Sequence, residues 1–367
     1  MAKLIVFDTL SGTSGYSRNI AGLTIALHEL GCNVKVCEPK NDLYTPDRAK
    51  SFIINDWDET VKLIDKDTIV MGRTFNNIHN YRQFNPKEIH SILVLEGDKF
   101  PEDWILKANL VDCIWASSTY NKEMLEKNNC AAKIVVLHHG FDPTYFWNKW
   151  DKQEYPRSKF TETFKFLFVG GHTNPMDRKG AQFLAEAFNV FNKEDDVSLT
   201  FKINTAYQYD DFNPEKHLRS LVKPELQNKL TFITENLSEE ALGNLYRSAD
   251  VSVTPTMGEA YCQSIAESLA CGTACIVTNY SGHLDYCEGG SLPIDVEKRV
   301  LAHYGGFDVP AGSVWVKPSV EHLKELLKYA YDNPELVDLL GKKGSRDMHE
   351  NFTWKHIAEK TKNLLKL

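Results

Sequence analysis

Short apolar runs separated by helix-like stretches recur from Lys3 to Leu137, fade, and begin again at Lys165. Lys3 to Asp8 reads as a buried strand, followed by a Gly/Ser/Thr turn and an apolar-periodic helix through Ile20, Leu23, Leu27 and Leu30 that stops at Gly31. Val34 to Cys37, Thr68 to Met71, Ser91 to Leu95, Cys113 to Ala116 and Ile134 to Leu137 supply further strands. Such alternation predicts an α/β fold, a parallel sheet covered by helices. The plan repeats with strand Lys165 to Val169, a helix from Gly180 to Asn192, strands Ser198 to Ile203 and Leu230 to Ile233, a helix from Ser238, and strand Val251 to Thr254. Between Asp142 and Thr163 the period dissolves around Trp147, Trp150 and Pro156, as in a linker. A chain of 367 residues, 42% of them hydrophobic, has material for two cores. From Ser319 it reads as helical to Leu367, with a break at Asn351-Phe352-Thr353-Trp354 before one last helix.

A net charge of -8 with 25% charged residues excludes a disordered polyelectrolyte and an overall basic nucleic-acid binder. Met1 to Leu10 runs straight into an apolar strand, so a cytoplasmic location is expected. No apolar run approaches the roughly 20 residues that span a bilayer, which leaves only peripheral membrane contact. Eight cysteines, without a C-x-x-C pair or metal-finger spacing, read as reduced and mostly buried thiols.

The chemistry concentrates where strand Val251 to Thr254 ends. The segment from Pro255 to Thr273 carries Glu259 on the loop and Glu267 eight residues later, inside a helix. A carboxylate accepts two hydroxyl hydrogen bonds at once, which suits a vicinal diol, and the small residues Gly258 and Ala260 let backbone N–H groups approach a ligand. The spacing also fits a plainer arrangement, with Glu267 and Ser268 on the solvated face of an amphipathic helix and Glu259 a first-turn acid.

Glu259 and Glu267 resemble the E-x7-E signature of the family 4 retaining glycosyltransferases, followed by Ala270-Cys271-Gly272-Thr273 and a strand from Cys275 to Thr278. Phe166-Leu167-Phe168-Val169-Gly170, Arg178-Lys179-Gly180 and Ala187-Phe188 resemble that family's strand, basic turn and helix. Leu237 to Glu240, Leu245-Tyr246 and Ala249-Asp250-Val251 resemble the elements before the signature, and His139 to Asp142 with Phe146 the close of the first domain. Phe100 to Trp104 and Trp115 to Ser118 match a subgroup pattern.

The resemblance implies a GT-B fold, two facing Rossmann-like domains with a C-terminal helix crossing back to the first. Expected bounds are 1–146 for an acceptor-side domain, 147–163 for the linker, 164–350 for a nucleotide-sugar domain and 351–367 for the crossing helix. It further implies a retaining transfer from a nucleotide-sugar donor, a co-substrate rather than a bound cofactor, with no divalent metal. In that reaction the acceptor hydroxyl attacks from the leaving-group face and a donor phosphate oxygen takes its proton.

By the same resemblance Arg178 and Lys179 neutralise the departing diphosphate, Glu259 holds the donor sugar's hydroxyls and Glu267 the ribose; solvated turn cations are the plainer reading of the first two. Gly171 stands where a basic residue is common, a gap Arg178 can fill. Gly258, Ala260, Tyr261 and Cys262 line the donor, although Tyr261, Cys262 and Gln263 depart from the usual glycine-containing continuation. Gly12 and Gly15, flanking Thr13 and Ser14, form a turn that can bring N–H groups to a diphosphate or serve structure alone. Asn279, Tyr280, Ser281 and Gly282 follow the next strand, where they could line the cleft, but Ser and Gly after a strand are also ordinary turn chemistry, and they are left out of the catalytic set. Glu96 and His79 are acceptor-side candidates, while His138 and His139 read as core histidines.

A glycan or lipid-linked glycan is the first acceptor class, then a protein or small molecule, with modified DNA less favoured because the first domain shows no broad basic face. Two other readings stay open: a sugar-phosphate isomerase or phosphorylase on the same fold, and a non-catalytic nucleotide-sugar-binding protein.

Overall fold

A computed structural model describes residues 2–12, 15–39, 45–151, 163–204, 212–303 and 312–367; Thr13, Ser14 and Pro156 lie outside them. The chain forms two compact units. The first comprises Met1–Asp142, Leu301–Val314 and Phe352–Leu367, and the second Pro143–Val300 and Trp315–Asn351.

In chain order the first unit contains β1 (Lys3–Phe7), α1 (Gly15–Glu29), β2 (Val34–Cys37), β3 (Ile53–Ile54), α2 (Trp57–Val61), β4 (Thr68–Arg73) and β5 (Glu88–Ile92). It continues with α3 (Glu102–Ala108), β6 (Cys113–Ala116), α4 (Thr119–Lys127) and β7 (Lys133–Val136). The second holds β8 (Phe164–Gly171), α5 (Ala181–Ala187), β9 (Val197–Asn204), α6 (Pro214–Ser220), β10 (Leu230–Ile233), α7 (Glu239–Ser248) and β11 (Val251–Thr254). After these come α8 (Gln263–Ala270), β12 (Ala274–Thr278), α9 (Leu284–Cys287), β13 (Ser291–Ile294), the ribbon strands β14 (Val296–Leu301) and β15 (Val314–Pro318), α10 (Val320–Asp332) and α11 (Pro334–Asn351). The last helix, α12 (Trp354–Leu365), belongs to the first unit.

Seven strands of the first unit form one sheet in the order β3-β2-β1-β4-β5-β6-β7, and six of the second form another in the order β10-β9-β8-β11-β12-β13. All pairings within them are parallel, for example Leu4 opposite both Val34 and Ile69. The order reverses between β1 and β4 and again between β8 and β11, the points beside which open α/β sheets place ligands at their carboxyl edges.

Both faces of β1 are buried, which explains its uninterrupted apolar run. Leu4 and Val6 enter one core with α1 and α12, whereas Ile5 and Phe7 enter another with α3 and α4. Helix starts carry the expected caps: Ser118, Ser238 and Ser319 accept the N–H groups of Asn121, Ala241 and His322. Gly31, with φ of 77°, ends the turn after α1, as its place at the close of the apolar period suggested.

Several boundaries differ from expectation. The strand expected at Ser91 to Leu95 is β5 at Glu88–Ile92; Leu93, whose N–H still reaches the Trp115 carbonyl at 3.4 Å, and Leu95 are buried beyond its end, so burial prolongs the apolar run past the strand. The helix expected from Gly180 to Asn192 is α5, which tightens into a 3₁₀ turn at Phe188–Val190. Residues 143–151 pack onto the second unit: Lys149 Nζ donates to the Ala249 carbonyl at 2.9 Å and Trp150 Nε1 to the Gly272 carbonyl at 2.9 Å. Residues 301–314, expected in the nucleotide-sugar domain, group with the first unit, where the Val314 N–H donates to Asp98 Oδ1 at 2.8 Å.

The break at Asn351 to Trp354 delivers α12 to the first unit. Trp354 N–H donates to the Phe141 carbonyl at 3.1 Å, and the Phe141 N–H to that of Phe352 at 3.2 Å. Ile357, Ala358 and Leu365 then join Ile20, Leu23 and Leu27 in one buried cluster. The Trp354 indole occupies the space beside Gly22 that a side chain there would need. Gly22→Ala is therefore expected to cost about 1–3 kcal/mol, and less in a Trp354→Ala background. Equal costs in both backgrounds, measured by denaturant unfolding, would show that the indole is not the obstacle.

Candidate active site

The turn leaving β8 is wound around Asp177, a residue the sequence pattern did not single out. Its Oδ2 accepts the Thr173 N–H and hydroxyl at 2.8 and 2.9 Å, and its Oδ1 the Lys179 N–H at 2.9 Å. Its carbonyl accepts the Gly180 N–H at 3.1 Å and Gln182 Nε2 at 2.9 Å. Gly180 has φ of 84°, and a Cβ there would collide with the Pro255 carbonyl. Close approach of this turn to the loop after β11 thus requires glycine.

The two segments are stitched together. The Met257 N–H donates to the Arg178 carbonyl at 2.8 Å, and Thr256 Oγ1 to the same oxygen at 3.1 Å. This brings Glu259 Oε1 to 2.6 Å from Lys179 Nζ and 3.1 Å from Arg178 Nη1, with Thr256 Oγ1 at 3.2 Å. Arg178 Nη1 also donates to the Gly258 carbonyl. The Glu259 side chain is 4% exposed, against 17% for Arg178 and 26% for Lys179, so the cations retain an open flank that the carboxylate lacks.

Burial would raise the Glu259 carboxyl, but the charges of Arg178 and Lys179, with their hydrogen bonds, outweigh it and hold the group at about 2. Lys179 is displaced upward: burial opposes its charge, and Glu259 more than compensates.

Glu267 lies on α8 at 2% exposure, with Oε2 accepting from the Tyr246 hydroxyl at 3.3 Å. This rules out the solvated helix face as its setting; Ser268 is also fully buried. Gly258, Ala260, Tyr261 and Cys262 form the buried stretch between the two acids. The Tyr261 ring packs on Tyr286 with centroids 4.7 Å apart, and the Tyr286 hydroxyl donates to the carbonyls of Tyr261 and Cys262 at 2.8 and 2.6 Å. Cys262 precedes α8 with φ of 74°, a left-handed conformation uncommon outside glycine, and burial pushes its thiol up to about 11. All eight cysteines are free thiols. Among the described residues no three histidine, cysteine, aspartate or glutamate side chains stand together as metal ligands would, and no helix is long and apolar enough to cross a membrane.

Gly12 and Gly15 belong to the first unit, Gly12 with φ of 102° and Gly15 opening α1. At the same sheet edge, where strand order reverses, Arg73 Nε donates to Asp8 Oδ2 at 2.8 Å, Tyr16 lies over the Arg73 guanidinium, and the Ser11 N–H donates to Glu38 Oε1 at 2.9 Å. Asp8 had read only as a strand end. His79 sits in a 3₁₀ turn, its basicity lowered by burial, and Glu96 follows the buried Leu95. The His138 ring meets Phe352 edge-on at 5.4 Å and is half-buried, short of the core position expected of it.

Known proteins agree with this architecture. Residues 163–303 match the family model described as Glycosyl transferases group 1. The whole chain superposes on sucrose-phosphate synthase from Thermosynechococcus elongatus, at 16% identity and a TM-score of 0.72 over 98% of that protein. A glycosyltransferase from Rickettsia africae superposes at 16% identity and 0.74, over 100% of this chain and 98% of its own. Anabaena HepE, solved in complex with UDP-glucose, superposes at 12% identity and 0.72, over 100% of both chains. No curated protein sequence matches the chain. The fold is GT-B, built on two Rossmann-like units. The segment holding Arg178, Lys179, Glu259 and Glu267 belongs to the group 1 glycosyl transferases, as the resemblance read from its motifs implied.

Because the Glu259 carboxyl is lowered in the folded state, its ion pairs contribute full stability above the ordinary carboxylate value of 4.5 and lose it as pH falls toward about 2. The melting temperature of the wild-type protein is therefore expected to fall more steeply between about pH 5 and 2 than that of Glu259→Gln. Parallel pH profiles would show that Glu259 is not ion-paired.

Proposed function

We propose that the chain is a retaining glycosyltransferase that moves a sugar from a nucleotide donor to an acceptor hydroxyl. The observation that supports this best is the convergence of Glu259, Arg178 and Lys179 at one sheet edge beside the point where strand order reverses. Lys179 and Arg178 offer charge-assisted donors to the diphosphate as the glycosidic oxygen leaves, without need of a divalent ion. Glu259, ionised throughout the neutral range, accepts hydroxyls of the donor sugar, and Glu267 the ribose diol.

The acceptor oxygen attacks the anomeric carbon from the face of the departing diphosphate. The bond from that carbon to the phosphate oxygen breaks, and a phosphate oxygen takes the acceptor proton. Protein groups position the reactants and stabilise developing charge. Complexes of Anabaena HepE with UDP-glucose, and with UDP and glucose, favour a uridine diphosphate sugar as the first donor to try. A glycan or lipid-linked glycan remains the proposed acceptor, in the cytoplasm.

The purified protein, with a chelator present, should be stabilised by one member of a nucleotide-sugar panel and should release its nucleotide when an acceptor is added. Lys179→Ala is expected to lower kcat by about 100-fold or more, and Glu267→Ala to raise the donor KM. Stabilisation by no donor would overturn the reading. Turnover without an acceptor, with no free sugar released, would favour the isomerase instead.

A further inference from the structure

The loop after β12 grips Glu259 by its main chain. Ser281 Oγ accepts the Glu259 N–H at 2.9 Å, and the next residue, Gly282, donates its N–H to the Glu259 carbonyl at 2.9 Å. Two consecutive residues thus satisfy both backbone polar groups of the acid. The loop is itself fastened: the Tyr280 N–H donates to the Thr278 carbonyl at 2.7 Å, and His283 Nε2 donates to the same oxygen at 2.7 Å. A carbonyl only accepts, so the His283 proton sits on Nε2. Ser281 and His283 are both buried.

Ser281 makes this contact from an unfavourable conformation. Its φ is 80°, in the left-handed region that glycine occupies freely and serine seldom does. Glycine at this position would be unstrained but would leave the Glu259 N–H, buried beside it, without an acceptor. Such strain persists where the surrounding structure over-determines it and clusters where geometry matters to function.

We propose that Ser281 is a positioning residue: by holding the Glu259 main chain it fixes the direction in which the Glu259 carboxylate is presented to the donor sugar. Lys179 and Arg178 hold the carboxylate end of the same residue, so Glu259 is fastened at both ends of its side chain. The proposal rests on the transfer reading for its functional consequence, and on the hydrogen bonds alone for its structural one.

Ser281→Gly and Ser281→Ala separate the roles. Positioning predicts that in both variants the peptide containing Glu259 exchanges its amide hydrogen about tenfold faster. With UDP-glucose as the first donor probe, kcat should fall about 10- to 100-fold while KM stays within about twofold. A merely structural role predicts that Ser281→Gly, relieved of its strain, keeps kcat and melts no lower than wild type. Unchanged amide exchange in both variants, or unchanged kcat in either, would overturn the proposal. If the wild-type protein turns over no nucleotide sugar, the transfer reading fails separately, and the exchange measurement still decides whether Ser281 holds Glu259.

Discussion

The ion pairs of Glu259 with Lys179 and Arg178 are the contact on which the second unit's site depends. They join two loops, one leaving β8 and one leaving β11, that are about 80 residues apart in sequence but adjacent in the sheet. A carboxylate this deeply buried is tolerable only when its charge is met, and removing one partner of such a pair costs far more than the pair contributes. The loops therefore cannot drift independently: the side chains that meet the charge of Glu259 also fix the spacing between the turn around Asp177 and the start of α8.

Three of the residues with positive φ fall in the same region. Gly180, Cys262 and Ser281 all take left-handed backbone, and they fall respectively on the basic turn, at the entrance to α8 and in the loop behind Glu259. Gly180 has a steric reason, the approach of the Pro255 carbonyl. Cys262 and Ser281 do not have glycine's freedom, and each makes a contact in that conformation: the Cys262 carbonyl accepts from Tyr286, and the Ser281 hydroxyl accepts from Glu259. Local strain spread over two such residues is held in place by the packing of the whole unit.

The fold was legible where burial and pairing coincide. Leu4 to Phe7, apolar throughout because both sheet faces are covered, announced itself as a parallel strand, and Gly31 announced the end of α1. Legibility failed where the two separate. Leu93 and Leu95 are buried without continuing β5, β3 is only two residues long, and β14 is almost wholly exposed, so none carries a period that sequence alone can read. The residues of the ion-pair cluster were found through the motif they share with a known family, since spacing alone allowed a solvated helix for Glu267. Asp177 left no signal and Ser281 only that of a turn that could line the cleft, because each acts by bonding main-chain groups and looks like any polar turn residue.

Charge limits what the site can accept. Lys179 and Arg178 bring two positive charges to the partly exposed side, where Glu259 meets them with one negative charge while the Asp177 carboxylate is engaged by N–H groups of its own turn. An ammonium has three donors and a guanidinium five, and Glu259 and the Gly258 carbonyl are among the acceptors they meet. On the transfer reading a diphosphate joins the cluster beside the carboxylate, and its phosphate oxygens offset part of the positive charge of Lys179 and Arg178. Were Glu259 displaced instead, its charge would be left buried and unmatched, the costlier arrangement. On the transfer reading the acid therefore stays beside the cations while the donor binds. The carboxylate's direction is then set less by the incoming ligand than by its existing attachments, the basic turn on one side and the main-chain grip of Ser281 and Gly282 on the other.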